Sequence, residues 1–405
     1  MRPNHLISPD SPDSPITPNN ISTPSTPYYL VEESRLRSNM RKLKDVEERS
    51  GVKIIMAFKA NALWKTFPII SEYFTASTAS SLNEMKLSLD YLGSDVHAYC
   101  PVYTDETFPK FLEGCTHITF NSIAQFNKYY PEIKKYNAEH IEDGKRVSPG
   151  LRVNPQCSVI ETDIYNPCIP GSRFGVNAED LKELPEGCEG LHFHALCESS
   201  SYDLEKVLEA TKAQFGKFLP QVKWLNMGGG HLITRKDYDT DHFVKITTEL
   251  TKEFPNLQLI IEPGSAFTWQ TGDLITTVLD VVENSGIKTA IIDASFACHM
   301  PDCLEMPYKP VIAEALDDNA PDNNSYTYRL GGNSCLSGDY VGDWKFSSPL
   351  KAGDKLTLLD MNHYTTVKTN MFNGIQHPSI WLKNIKGDYV LLREFSYDDY
   401  RDRMD

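Results

Sequence analysis

The sequence predicts an α/β fold: a (β/α)8 TIM barrel joined to a second, all-β domain. Three observations carry this. Apolar runs of strand length alternate with amphipathic stretches, and the alternation makes eight repeats over about 220 residues. After about Gly272 the helical spacing gives way to strand-like runs separated by turn-rich loops.

Residues 1–27 are mostly Pro, Ser, Thr and Asn. Such a segment buries too little surface to offset its ordering entropy and reads as a disordered tail. Residues 28–48 lead into the barrel. Tyr28–Val31 reads as a strand that completes the C-terminal domain, and a helix follows from Glu32 to Ser50, with Leu36, Met40, Leu43 and Val46 at helical spacing.

The barrel is assigned to residues 49–271. Its strand-like runs fall at Val52–Phe58, Phe74–Ala76, Val96–Tyr99, His117–Phe120, Leu151–Asn154, Leu191–Ala195, Val222–Met227 and Leu257–Glu262. Between them lie stretches such as Leu82, Met85, Leu89 and Leu92 closed by Gly93, a helix with its C-terminal glycine. The link from the fourth run to the fifth is less regular. A doubly wound open sheet is the competing fold, but no GxGxxG follows the first strand. The all-β domain is assigned to residues 272–405, with runs at Leu274–Val282, Thr289–Asp293, Tyr326–Leu330, Lys355–Leu359 and Tyr389–Leu392.

Composition limits the function. A formal net charge of −15 argues against nucleic acid, whose binding is dominated by cation–phosphate contacts, and is compatible with attraction of cationic substrates. No apolar run reaches the length needed to span a bilayer, so a soluble protein with no membrane partner is expected. Nine cysteines occur singly, with no CxxC pair, and the N-terminus lacks a secretory pattern; both point to the cytoplasm.

Barrel chemistry sits at the C-terminal ends of the strands. Lys59 closes the apolar run Ile54-Ile55-Met56-Ala57-Phe58, where a desolvated amine is available for Schiff-base chemistry; the plainer reading is a solvated edge lysine. His192-Phe193-His194 falls on the sixth run, with both imidazoles on one strand face. That suits ring stacking, and it also suits a metal pair, although no third ligand at suitable spacing is evident and no metal is assigned. Gly228-Gly229-Gly230 follows the seventh run and offers amides to a phosphate, or is simply a turn. Glu262-Pro263-Gly264 closes the eighth, its carboxylate suited to a protonated ring nitrogen, to a helix cap or to a salt bridge. An imine-forming lysine, phosphate-binding glycines, a carboxylate for a pyridinium and a flat ring for stacking together describe a pyridoxal 5'-phosphate site.

From about Pro27 to the C-terminus the sequence also resembles the alanine racemase-fold (fold type III) decarboxylases of ornithine, arginine and diaminopimelate, and within them the carboxynorspermidine (carboxyspermidine) branch. The motifs are Phe58-Lys59-Ala60-Asn61, Ser172-Arg173-Phe174-Gly175, His192-Phe193-His194, Met227-Gly228-Gly229-Gly230, Glu262-Pro263-Gly264, Gly331-Gly332-Asn333-Ser334-Cys335 through Gly338-Asp339, His363-Tyr364-Thr365 and Phe372-Asn373-Gly374.

The resemblance implies that Lys59 carries the cofactor aldehyde, His194 stacks on the ring and Glu262 pairs with the ring nitrogen. Gly228, Gly229, Gly230 and Tyr364 would bind the phosphate, with Arg152 close by. Cys335 would be the general acid, supplied across a homodimer interface; read from its setting alone, it is a cysteine between glycine-rich turns, oddly placed for packing. The implied substrate is a small carboxylated polyamine. Where diaminopimelate and ornithine enzymes usually follow Glu-Pro-Gly with arginine, this chain has Ser265, which argues against a diacid. A cationic tail calls for carboxylates, and Asp302, Glu305 and Asp339 are the candidates. The alternatives are a diaminopimelate- or ornithine-type decarboxylase, or a non-catalytic regulatory homologue, which would be expected to lose Lys59 or Cys335.

Overall fold

The computed structural model describes residues 23–160, 163–319 and 325–405; residues 1–22 of the segment read as a tail lie outside them. β1 (Tyr28–Glu32) and α1 (Glu33–Ser50) open the described chain. The chain divides into two compact units. One is Ser38–Phe267; the other combines the described residues up to Arg37 with Thr268–Asp405. In α1 the residues at helical spacing, Leu36, Met40, Leu43 and Val46, are all fully buried, so the periodicity marks a true apolar stripe.

The Ser38–Phe267 unit holds one parallel sheet. Its first two strands, β2 (Lys53–Ile54) and β3 (Met56–Ala57), are halves of a single strand interrupted at Ile55. Then come β4 (Ala76–Ala79), β5 (Asp95–Tyr99), β6 (His117–Phe120), β7 (Ser148–Arg152), β8 (Gly190–His192), β9 (Trp224–Asn226) and β10 (Gln258–Ile261). Each pairs with the next in chain order. β3 pairs with β4 while β2 pairs with β10, so the sheet closes on itself through the split strand. Eight strand positions in a closed parallel ring make a (β/α)8 barrel.

The helices are where the sequence was misread. The link from β6 to β7, read as less regular than the others, carries the regular α-helix Ile123–Glu139. Pro131 lies inside that helix on its exposed side. Ser122 caps the start by accepting from the Gln125 N–H, and Phe126, Tyr129 and Ile133 bury the opposite face. The irregular link comes one step later. Between β7 and β8 the described residues form only a short 3-10 turn at Asp163–Tyr165.

Inside the barrel, Trp224 packs with Ile55, Ala76 and Ile260 and donates its indole N–H to Ser148 Oγ at 2.9 Å. Two glycines make room for that ring. A Cβ at Gly190 would stand 1.9 Å from it and one at Gly150 2.2 Å, so neither position tolerates a side chain while the tryptophan stays.

The second unit is a mostly antiparallel sheet. β1 lies between β11 (Gly272–Asn284) and β16 (Ser379–Lys383), antiparallel to the first and parallel to the second. β12 (Ile287–Ile292), β13 (Tyr326–Gly331) and β14 (Tyr340–Phe346) extend the β11 side; β17 (Tyr389–Arg393) extends the other, and β15 (Lys355–Leu358) also pairs with β11. Tyr28, Leu30, Ile275 and Trp381 form a buried cluster there. β14 and β16 were not foreseen. Tyr340–Phe346 mixes Gly, Asp and Lys with its apolar residues, and its exposed edge supplies no alternation to read.

Candidate active site

A cleft of about 710 Å³ opens at the C-terminal ends of the barrel strands. Its wall is built one strand end at a time: Lys59 follows β3, Thr78 lies on β4, Tyr99 ends β5, Arg152 ends β7, His192 ends β8, and Glu262 follows β10. His194 joins them from the segment after β8. The volume suits a cofactor with a small substrate.

Lys59 reaches solvent through the cleft mouth, yet protein atoms crowd its amine. Burial pushes that amine below the ordinary lysine range and the Arg152 charge adds to the effect, while Glu262, Cys197 and Glu84 oppose it. Its Nζ stands 3.5 Å from Nε2 of His194. Nδ1 of the same ring accepts the Gly229 N–H at 2.8 Å, which assigns the ring proton to Nε2. Burial, then the charges of Lys59 and Arg152, hold the His194 imidazole well below its usual range. The neutral ring turns its Nε2 proton toward the Lys59 amine, whose unprotonated form, favoured by burial, offers it a lone pair.

Glu262 is buried, and burial raises its carboxyl above the usual range against the pull of Asn226 and Lys59. Asn226 Nδ2 donates to its Oε1 at 2.6 Å, and Asn226 Oδ1 accepts the Gly228 N–H at 2.9 Å. One amide thus ties the glycine turn to the carboxylate. Gly228 and Gly230 have φ of +71° and +87°, a region that favours glycine. A Cβ on Gly229 would lie 2.7 Å from the Glu262 carbonyl oxygen and 3.1 Å from the His194 ring. The Gly229 amide, expected to face a phosphate, here serves His194 instead.

Arg152 is buried with its guanidinium 4.7 Å from the Tyr99 ring and 4.5 Å from the Phe174 ring, and it donates to the His194 carbonyl at 3.3 Å. Among the described residues it meets no carboxylate at ion-pair distance. A buried cation held by aromatic faces and a carbonyl is a site for an anion.

The remaining candidates lie in the second unit. Tyr364 stands just before a short helix with φ of +54° and ψ of −42°, a conformation that a bulky residue rarely adopts. The Cys335 thiol is exposed, and its N–H donates to Asn373 Oδ1 at 2.8 Å. The three acids separate clearly. Asp339 is buried and accepts from Ser295 Oγ, the Ala297 N–H and the N–H and Oγ of Ser334, so its carboxylate holds turns together and is not open to a ligand amine. Glu305 pairs with Lys368. Asp302 is buried with Tyr308 donating to Oδ2 at 3.0 Å, but Oδ1 has no partner, and burial raises its carboxyl above the usual range.

The sequence reading missed Thr78, Tyr99 and Asn226. Asn226 directly precedes the glycine motif and Tyr99 ends the third strand run, so position along the strand was the usable signal. Among the described residues, the one grouping of three His, Cys, Asp or Glu ligand atoms within 4.8 Å of one another is Asp95, His97 and His117, which includes neither His192 nor His194. It already holds a cation: Lys53 Nζ lies 2.6 Å from Asp95 and 3.2 Å from His97.

The model of the pyridoxal-dependent decarboxylase family, C-terminal sheet domain, matches residues 73–362. A carboxyaminopropylagmatine decarboxylase from Synechocystis sp. is 42% identical over 95% of this chain and 96% of its own. A carboxynorspermidine/carboxyspermidine decarboxylase from Campylobacter jejuni is 39% identical over 93% and 97%. The crystal structure of carboxynorspermidine decarboxylase from that species, complexed with norspermidine, superposes with a TM-score of 0.84 at 37% identity and covers 94% of this chain and all of that one. The chain therefore belongs to the pyridoxal-dependent decarboxylases. It is a carboxy-lyase whose cofactor is pyridoxal phosphate.

Proposed function

We propose that this enzyme decarboxylates carboxynorspermidine and carboxyspermidine, releasing CO2 and giving norspermidine and spermidine. The observation that carries the reading is the pairing of the Lys59 amine, which burial shifts toward its neutral form, with the His194 ring in a cleft that also holds Glu262 and Arg152, whose charge meets no carboxylate among the described residues. The near-full-length likeness to the two named relatives supplies the substrate class. The Synechocystis relative favours a second reading, a substrate with a guanidinium in place of the terminal amine.

Lys59 would hold the cofactor aldehyde, His194 one ring face, Glu262 the ring nitrogen, and the glycine turn at Gly230 with Tyr364 the phosphate, since the Gly228 and Gly229 amides already serve Asn226 and His194. Bound there, the cofactor supplies an electron sink for the pair left when the carboxylate departs. Glu262 keeps a proton at the ring nitrogen, which deepens that sink. Arg152 supplies positive charge beside the leaving carboxylate. The Cys335 thiol delivers a proton to Cα, reaching the site from the second subunit of a homodimer. Asp302, with one bare oxygen, is the acid suited to a cationic tail; Glu305 offers a second charge once Lys368 swings aside.

The test is a competition among carboxynorspermidine, carboxyspermidine, carboxyaminopropylagmatine, ornithine and diaminopimelate, with CO2 release measured for each. The expected order places the first two ahead by at least about tenfold in kcat/KM. Preference for the guanidinium substrate selects the second reading, and preference for diaminopimelate refutes both. Lys59→Ala should abolish turnover with every substrate and remove the cofactor's borohydride-reducible absorbance.

A further inference from the structure

His192 ends β8 and is 1% exposed, yet neither of its ring nitrogens has a protein partner. Two residues on, His194 has a backbone donor for one nitrogen and Lys59 facing the other. A buried imidazole left bare is unusual, because its polar atoms have lost water and gained nothing in return. If packing were its whole task, a phenylalanine would fill the same space without that cost. The position calls for something an imidazole provides.

The neighbours show what that is. His192 lies in the cleft wall beside the Tyr99 ring (centroids 5.3 Å apart, planes at 47°), with Nε2 3.8 Å from Oε2 of Glu262. The other carboxylate oxygen is already fixed by Asn226 at 2.6 Å. Burial, then the charges of Arg152 and Lys59, keep the His192 ring uncharged, so it offers one N–H and no competing positive charge. Each carboxylate oxygen has two acceptor positions, so Oε2 can take an N–H from His192 and still face a ring nitrogen.

We propose that His192 is a positioning residue for Glu262, closing its Nε2–H onto Oε2 so that Asn226 and His192 grip the carboxylate from both sides and aim it at the cofactor's ring nitrogen. This rests on the assignment of Glu262 to that nitrogen. Asn226 fixes one oxygen and Thr78 also acts on the carboxylate; the imidazole would close on Oε2, the oxygen that Asn226 leaves free. The residue acts through Glu262 and touches no reacting atom.

The experiment compares His192→Phe, His192→Gln and Glu262→Gln with the parent enzyme by four measurements: the absorbance spectrum of bound cofactor, kcat, KM, and the melting temperature of the cofactor-free protein. His192→Phe should move the bound spectrum in the same direction as Glu262→Gln, lower kcat by about tenfold and leave KM within about twofold. Its cofactor-free melting temperature should be unchanged or raised, because an unpaired polar group has been replaced by an apolar one. His192→Gln, which keeps a donor of similar reach, should restore most of kcat and the parent spectrum. A His192→Phe enzyme with parent spectrum and parent kcat, while Glu262→Gln alters both, shows that His192 only fills space and overturns the proposal. If Glu262→Gln itself leaves the spectrum untouched, the assignment of Glu262 fails, and the proposal with it, by a separable result.

Discussion

The Gly229 N–H and Nδ1 of His194 meet at 2.8 Å, and this one bond sets the tautomer of a ring whose other nitrogen faces Lys59. A glycine chosen for closeness of backbone thus orients the imidazole against which the cofactor ring would stack. The contact survives only while position 229 lacks a Cβ. Gly229→Ala places a methyl 2.7 Å from the Glu262 carbonyl oxygen, a backbone atom that cannot turn away, and 3.1 Å from the imidazole. The ring must tilt. Cofactor affinity, followed by absorbance titration of the cofactor-free protein, should weaken by about tenfold or more, equivalent to about 1.4 kcal/mol. Unaltered affinity would mean that the ring's orientation does not matter to cofactor binding.

A second prediction concerns the barrel itself. Gly190→Ala drives a methyl to within 1.9 Å of the Trp224 ring, which is fixed by its own bond to Ser148. Overpacking of this kind costs about 1–3 kcal/mol. The urea midpoint should fall accordingly, and Gly190→Ala combined with Trp224→Phe should recover part of the loss, since a smaller ring returns the space. A double variant no more stable than Gly190→Ala alone would place the strain elsewhere.

Stability should also depend on pH through the cluster at the N-terminal ends of β5 and β6. Burial raises the Asp95 carboxyl, but His97, Lys53 and Thr116 outweigh it and hold the group well below the usual carboxylate range. Burial pushes His117 down to about 2 and lowers His97 as well, so the ion partner of Asp95 at neutral pH is the Lys53 ammonium. A histidine whose folded value is depressed stays neutral while the unfolded chain takes up a proton. Its stabilising share is therefore complete above about 6.5 and is lost as pH falls toward the folded value. The Asp95 share is lost only further down, below about 3.9. Urea midpoints should decline from pH 7 to pH 4, and His117→Phe should flatten that decline while leaving the acid-most fall in place. An equally steep decline in the variant would show that other buried histidines dominate.

These residues also show how far the sequence could be read. Lys59, His194, Glu262 and the triple glycine were legible because each is an unusual residue type at a strand end, where barrels keep their chemistry. Tyr99, Thr78 and Asn226 were harder to read, because nothing in their type separates a cleft residue from a core one; place along the strand is their one signal, and the closure of the sheet brings them to the site. The helix Ile123–Glu139 was harder to read because its buried face is marked by only Phe126, Tyr129 and Ile133 among many polar residues. Asp339 was legible as an acid in a glycine-rich turn, but the four donors that occupy it come partly from residues some 40 positions away, beyond the reach of local pattern.

The last prediction separates a site complete within one chain from one shared between two. If Cys335 serves the Lys59 site of its partner, then Lys59→Ala and Cys335→Ala homodimers are each inactive at both sites, although for different reasons. Mixed and reassociated, half of the dimers should be hybrids, in which one site carries both defects and the other carries none. Activity of about a quarter of the parent's should then appear in the mixture. If both residues act within the same chain, every site in every hybrid keeps one defect and the mixture stays as inactive as its parts. Assaying CO2 release before and after subunit exchange, with sedimentation confirming that dimers have re-formed, decides between the two arrangements.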